Sequence, residues 1–326
     1  MENKIKIVYV IFGIQKEAIS FSLIERINYI IDRGGFEISV VSEHNNDESL
    51  LKSFRKEVRL YPLNISKYYP KKRLPVLGYY SLKHKIKGIY QKTIDEIQPD
   101  LITVINLESF YLELIPILKS KAKTIIEFHG TYLRNAPKEK ISQTQNEKLF
   151  QKLKKKYHPL NLLKSSNQKI HNKFDYATVL TKENFEDRKT YLKIPIKQIF
   201  NFSKIPKELN QFSNRENIIL SVGRMTTDKN FIDLIDAVNL IDQKLSNWVV
   251  HIYGNGREIE NLKSKIKIHK LEKRVFLKGF CTDMDKVYNQ SKLLISTSLS
   301  EGFGLTMVEA LSYKIPVIAY NCKCGP

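Results

Sequence analysis

The chain has 326 residues, with 54 Lys and Arg against 34 Asp and Glu, a formal net charge of +20. Hydrophobic residues make up 42% and prolines number only 11, which excludes a disordered chain, and the length suffices for two domains of ordinary size. No apolar run approaches the roughly 20 residues a membrane helix needs, and Cys281, Cys322 and Cys324 form no disulfide framework.

The opening MENKIKIVYVIFGI reads as a buried first strand over 5–14, because Lys4 and Lys6 interrupt its start and no small-residue cleavage site follows. A cytoplasmic protein is therefore expected. Ile19, Leu23, Ile27 and Ile30 recur at helical spacing, and FEISVVSE (36–43) is a second strand. LITVIN (101–106), KTIIEFHG (123–130), DYATVLT (175–181) and KQIFN (197–201) continue the series. Strand, helix and strand at this spacing predict a parallel sheet with helices on both faces. The pattern restarts at NIILSVGR (217–224), followed by a helix over FIDLIDAVNLI (231–241). Strands at WVVHIYG (248–254), RVFLKGF (274–280), LLISTSL (293–299) and IPVIAY (315–320) complete it. The expected fold is α/β, with two doubly wound parallel-sheet domains over 1–200 and 217–326, a polar linker over 201–216, and a cleft faced by both sheets. Ligands of such sheets bind beyond the carboxyl ends of the strands.

Charge is unevenly spread. Residues 1–200 hold 36 basic and 21 acidic side chains, net +15, against 18 and 13, net +5, in residues 201–326. Between Glu57 and Asp95 no acid occurs, while lysines and arginines, Lys71, Lys72 and Arg73 among them, alternate with tyrosines. KLFQKLKKKY (148–157) adds a helical pattern with one apolar face and lysines elsewhere. Such surfaces attract a nucleic acid, acidic lipid headgroups or a phosphate-bearing substrate, and a merely solvated face is the plain alternative. No known RNA- or DNA-binding module appears, so a nucleic-acid partner is not expected.

Two stretches carry chemistry. In SVGRMTTDKN (221–230) a strand ends, Gly223 turns the chain, and Arg224 and Lys229 precede a helix. Two cations there suit a diphosphate. In SEGFGLTMVEAL (300–311) Gly302 and Gly304 let backbone approach a ligand at a helix start, and Glu301 and Glu309 frame the turn. A carboxylate accepts from adjacent hydroxyls, as on a ribose or hexose. A carboxylate pair alone also fits glycoside hydrolysis. Beside Arg224 and Lys229 it reads better as a nucleotide-sugar site.

SVGRMTTDKNFIDLIDAV, HIYGNGREIENL, VFLKGF and EGFGLTMVEALSYKIPVIAYNCKCGP, in that order, resemble the donor domain of glycosyltransferase family 4. QPDLITVI, IIEFHGTY and DYATVLTKEN carry a looser likeness in the first domain. The resemblance implies the GT-B fold and a retaining, usually metal-independent transfer from a nucleotide-diphosphate sugar, uridine-linked by default, to a glycan or lipid-linked acceptor of a surface polysaccharide or lipopolysaccharide. No cofactor is expected. It implies that Glu309 holds the ribose hydroxyls and Glu301 those of the donor hexose, and that Arg224 and Lys229 neutralise the diphosphate. The amides of Gly304, Leu305 and Thr306, beside Phe303 and Gly302, would bind the distal phosphate or sugar. Gly223, Gly254, Gly256, Lys278, Gly279 and Phe280 would line the nucleotide. His129 matches a histidine that meets the donor sugar; without the resemblance a histidine at a strand end is usually structural.

Two departures stand out. The first turn, FGIQKEAIS, offers only Gly13 where the family has a glycine-rich turn near the acceptor. The chain also stops at Gly325-Pro326, where the family continues, so an incomplete second domain with an exposed sheet edge is expected. An acceptor side near Gly13 and Lys71–Arg73, with peripheral contact to an anionic membrane, completes the expectation. A non-catalytic remnant, a nucleotide-sugar epimerase and a nucleic-acid binder remain as alternatives.

Overall fold

In β1 (Ile5–Ile11) the side-chain alternation of a strand sends Val8 and Val10 to one apolar cluster and Ile7, Tyr9 and Ile11 to another. Both faces are thus covered, as a parallel sheet requires. The computed structural model describes residues 4–68, 76–105, 112–130, 168–201, 203, 206, 208–245, 247–322 and 325. The chain divides into two units, Met1–Phe200 and Asn201–Pro326.

In the N-terminal unit β1 is followed by α1 (Ala18–Arg33), β2 (Phe36–Ser42), the short α2 (Glu48–Leu51) and β3 (Arg59–Pro62). Then come α3 (Val76–Ile97), β4 (Leu101–Ile105), β5 (Lys123–Phe128), β6 (Tyr176–Val179), α4 (Lys182–Lys189) and β7 (Ile196–Gln198). Among the described residues the sheet order is β3-β2-β1-β4-β5-β6-β7, all pairings parallel. The order reverses between β1 and β4, which makes that junction a switch point. Leu23, Ile24 and Ile27 of α1 pack on the Tyr9 face, while Ile86, Tyr90, Ile94 and Ile97 of α3 pack on the Val8 face.

The C-terminal unit repeats the plan with β8 (Ile218–Val222), α5 (Phe231–Ile241), β9 (Val249–Tyr253), α6 (Ile259–Ile268) and β10 (Val275–Gly279). It continues with α7 (Met284–Gln290), β11 (Leu293–Ser296), α8 (Leu305–Ser312) and β12 (Val317–Ala319). The order is β10-β9-β8-β11-β12, with its switch point between β8 and β11. Phe231, Leu234, Ile235 and Val238 are the buried stripe of α5. Residues 208–215 are tied to this unit: Arg215 is buried and donates to the carbonyl of Tyr313 at 2.7 Å, and Asn210 N donates to Asn289 Oδ1 at 3.0 Å.

Strands are shorter than the apolar runs that announce them. β1 ends at Ile11, and Ile14, expected within it, is fully buried in the following loop with its amide donated to Asn46 Oδ1 at 2.8 Å. β3 was not expected. It is an edge strand whose Arg59, Leu60 and Pro62 are exposed, so it lacks the apolar alternation that marks a half-buried strand. Among the described residues β12 is an edge strand too, with Ile318 exposed. Residues 148–157, and Lys71, Lys72 and Arg73, lie outside the described residues.

Leu234, buried in the α5 stripe, and Leu240, exposed on the same helix, give a paired check. Leu234→Ala should lower the stability of the C-terminal unit by about 2–5 kcal/mol in urea denaturation, through lost contacts and a residual cavity. Leu240→Ala should change it by no more than about 0.5 kcal/mol.

Candidate active site

The turns that leave β8 and β11 flank the C-terminal switch point, where an open parallel sheet leaves room for a ligand. After β8, Gly223 carries the aliphatic stem of Lys229 across it: a Cβ built there would sit 3.4 Å from Lys229 Cδ. Lys229 Nζ then reaches Glu301 Oε1, beyond β11, at 2.6 Å. Their side chains are only 17% and 11% exposed, so solvent screens this pair far less than a surface pair. The loop is also bonded along its backbone. Leu299 N donates to the Asp228 carbonyl at 2.8 Å, and Thr297 Oγ1 donates to the carbonyl of Lys229 at 3.2 Å.

Arg224, on the same turn, is exposed, and its guanidinium makes no ion pair among the described residues. The turn itself is held from beneath by the next one. Met225 N donates to the Asn255 carbonyl at 2.8 Å, and Glu258 N to the Met225 carbonyl at 3.0 Å. Gly254 has φ +137°, and a Cβ there would lie 1.9 Å from the Gly223 oxygen; one on Gly256 would lie 2.3 Å from the Met225 oxygen. Only glycine permits this approach. The turn after β10 joins it, since Gly254 N donates to the Gly279 carbonyl at 2.8 Å. Lys278, on the edge strand β10, and Phe280 just beyond it are exposed.

At the head of α8, Gly304 is the N-cap in the left-handed region, φ +79°, with no side-chain cap. Gly302 and Phe303 lie in the loop between Glu301 and this cap. The amides of Leu305 and Thr306 have no acceptor among the described residues, and such amides suit an anion. Glu309, one turn on, accepts from the Tyr288 hydroxyl of α7 at 2.6 Å. Burial pushes the Glu309 carboxyl above the ordinary carboxylate range, against the lowering pull of that hydrogen bond and with a further rise from the Asp285 charge. Tyr288 stacks on Tyr313, ring centroids 5.0 Å apart, and Tyr313 donates in turn to Asp285. Tyr288 was not anticipated from sequence.

Cys322 is half-buried beside Glu301, and burial, then the Glu301 charge, pushes its thiol up. Cys281 and Cys322 are free thiols. Among the described residues no group of three or more His, Cys, Asp or Glu could hold a metal ion, and no helix is long and apolar enough to cross a membrane.

In the N-terminal unit His129 follows β5, and its Nε2 lies 2.9 Å from Glu127 Oε2. Gly13 lies against the loop after β2, where an added Cβ would be 3.1 Å from the Asn45 oxygen. The structure thus brings Lys229 and Glu301 into direct contact, packs Gly223, Gly254, Gly256 and Gly279 together, and gives Glu309 a partner from another helix. Lys71, Lys72 and Arg73 lie outside the described residues.

Comparison with known proteins bears on the family of the C-terminal segment. Residues 203–326 match the family model described as glycosyl transferases group 1. This segment belongs to that family. Curated relatives include the poly(ribitol-phosphate) alpha-N-acetylglucosaminyltransferase of Staphylococcus aureus (strain COL), 38% identical over 39% of this chain and 26% of that protein. The poly(glycerol-phosphate) alpha-glucosyltransferase of Bacillus subtilis (strain 168) is 35% identical over 37% of this chain and 18% of its own. An uncharacterized glycosyltransferase of Haemophilus influenzae is 25% identical over 89% of this chain and 73% of its own. The match thus spans only about a quarter or less of the first two relatives. Among solved structures, TarM aligns with a TM-score of 0.72 over 98% of this chain and 86% of its own, at 18% identity. The pneumococcal O-GlcNAc transferase GtfA, in complex with UDP and GlcNAc, aligns with a TM-score of 0.68 over 99% and 85%, at 14% identity. These likenesses show the GT-B fold.

Glu309 supplies a pH test. Its folded pKa is raised, so the penalty for ionising it is absent below the ordinary carboxylate range and complete above the folded value. Glu309→Gln should therefore stabilise the C-terminal unit at neutral pH, and the gain should fade as pH falls through the folded pKa, measured by denaturation across pH 4–8.

Proposed function

We propose that this chain is a retaining glycosyltransferase that moves a hexose from a nucleoside diphosphate sugar, uridine-linked by first choice, to a phosphate-bearing glycan or lipid-linked acceptor. The observation that carries this reading is the Lys229–Glu301 pair, 2.6 Å apart at the switch point, beside Arg224 and the amides of Leu305 and Thr306, which have no ion-pair or acceptor partner among the described residues. Cations and amides suit a diphosphate, and carboxylates suit hydroxyls. In this reading Lys229 exchanges Glu301 for a phosphate oxygen when the donor binds, and Glu301 exchanges Lys229 for sugar hydroxyls. Glu309, set by Tyr288, accepts from the ribose hydroxyls.

The chemistry follows charge. As the anomeric C–O bond breaks, electrons move onto the diphosphate and the anomeric carbon becomes oxocarbenium-like. Lys229, Arg224 and the α8 amides stabilise the departing negative charge, which is the largest contribution such a site makes. The acceptor hydroxyl then forms the new bond on the same face and passes its proton to the departing diphosphate oxygen. Two side-chain cations do the neutralising, so the reading calls for no metal.

The donor assignment is supported by relatives: GtfA is solved with UDP and GlcNAc, and Anabaena HepE with UDP and glucose. The acceptor assignment is supported by two relatives named for poly(ribitol-phosphate) and poly(glycerol-phosphate). A polyanionic acceptor, or one presented at the cytoplasmic face of an anionic membrane, suits the 36 basic and 21 acidic side chains of residues 1–200.

A panel of nucleotide sugars should raise the melting temperature of the chain, with a UDP-sugar giving the largest rise and Glu309→Ala removing it. No rise with any of them, in a folded chain, contradicts the proposal. Lys229→Ala should lower kcat on the order of 100–1,000-fold, the scale for losing one group aimed at developing charge.

A further inference from the structure

Arg215, just ahead of β8, is a buried cation that pairs with no carboxylate among the described residues. Its guanidinium donates to backbone carbonyls instead. Nη2 lies 2.7 Å from the Tyr313 oxygen and 3.1 Å from that of Asn210, and Nη1 lies 3.3 Å from that of Ser291. Nε is buried and has no hydrogen-bond partner among the described residues. Ser291 is the C-cap of α7, and Tyr313 is the C-cap of α8. Carbonyls at a helix end lack a partner within the helix and carry the negative end of its dipole. One guanidinium therefore serves as the counter-charge to two helices.

Both of those helix ends lie about one turn beyond the Tyr288–Glu309 pair. The Ser291 amide donates to the Tyr288 carbonyl at 3.1 Å, and the Tyr313 amide donates to the Glu309 carbonyl at 3.1 Å. On each helix, then, the residue whose oxygen accepts from Arg215 bonds through its own nitrogen to a member of the pair. The side chains of the pair meet at 2.6 Å, and the Tyr288 ring stacks on Tyr313. The segment ahead of Arg215 grips α7: Asn210 N donates to Asn289 Oδ1 at 3.0 Å, and Asn289 Nδ2 donates to the Glu208 carbonyl at 3.2 Å. Arg215 extends that grip to α8.

Docking this segment does not require a charge. Burying a guanidinium without a carboxylate is costly, and an apolar side chain of similar length would fill the same place. We propose that Arg215 is a positioning residue for Glu309: it holds the last turns of α7 and α8 in one arrangement, and so keeps the Tyr288–Glu309 pair set for the ribose hydroxyls of the donor. This rests on the transferase reading, and a measurement without ligand separates the two.

Calorimetric titration of the full chain with UDP and with 2′,3′-dideoxy-UDP, which lacks both ribose hydroxyls, isolates the affinity that passes through Glu309. The wild type should favour UDP by about 10–100-fold, the scale of hydrogen bonds to a charged group. Arg215→Met should abolish that preference and leave the dideoxy affinity unchanged, and Arg215→Lys, which keeps the charge, should recover part of the preference. Without ligand, the NMR signal of the hydroxyl-bearing ring carbon of Tyr288, assigned through Tyr288→Phe, should shift in Arg215→Met because its bond to Glu309 is disturbed. An equal loss of affinity for both compounds, a preference left intact, or an unmoved Tyr288 signal would overturn the inference. If Arg215→Met fails to fold, Arg215→Lys decides by the same comparison, with a reduced preference expected. A wild type that binds neither compound, beside a displaced Tyr288 signal in the variant, would instead count against the transferase reading alone.

Discussion

The C-terminal site depends on how closely two turns approach. Gly254, at φ +137°, lets the turn after β9 press against the turn after β8, where any side chain would meet the Gly223 oxygen at 1.9 Å. That contact, with the Met225–Asn255 and Glu258–Met225 backbone bonds, fixes the path along which Arg224 and Lys229 are carried. A buried cation is useful to catalysis only if it is already in place, because reorganising it during the reaction would consume the stabilisation it offers. Backbone packing supplies this placement, and the lysine stem lying over Gly223 completes it.

Lys229 and Glu301 are the second consequence. Each is almost enclosed, so each needs a partner of opposite character, and without a ligand each is the other's. Removing one member of such a pair strands the other, typically at 3–5 kcal/mol or so in a buried setting. A ligand that brings both phosphate and hydroxyl replaces both partners at once. A ligand that brings phosphate alone leaves Glu301 unpaired. Under the proposed function the pair would therefore discriminate between a nucleotide and a nucleotide sugar, as a donor site needs. Tyr288 does comparable work for Glu309 by holding a carboxyl that burial drives toward its neutral form.

Much of this was legible in the sequence, and the reasons for the rest are physical. The two parallel sheets were readable because strands buried on both faces are continuous apolar runs, as in IVYVI and IILSV. Arg224, Lys229, Glu301 and Glu309 were readable as candidates because strand, glycine, charge and helix follow one another at short range. β3 was not, since an exposed edge strand reading Arg-Leu-Tyr-Pro lies inside a basic, tyrosine-rich run and carries no alternation. Tyr288 was missed because its partner is 21 positions away and only tertiary packing unites them. Arg26 bonds to Glu127 across 101 positions, yet one signal was present: a glutamate inside the apolar strand KTIIEF needs a cation.

Calorimetric titration with UDP and with a UDP-sugar, on Lys229→Met and on Glu301→Gln, addresses the Lys229–Glu301 pair most directly. The account predicts that Lys229→Met weakens both ligands, whereas Glu301→Gln weakens the UDP-sugar and leaves UDP bound as tightly as before or tighter, because Lys229 is released to the phosphates. Wild-type affinity for UDP in both variants would contradict it.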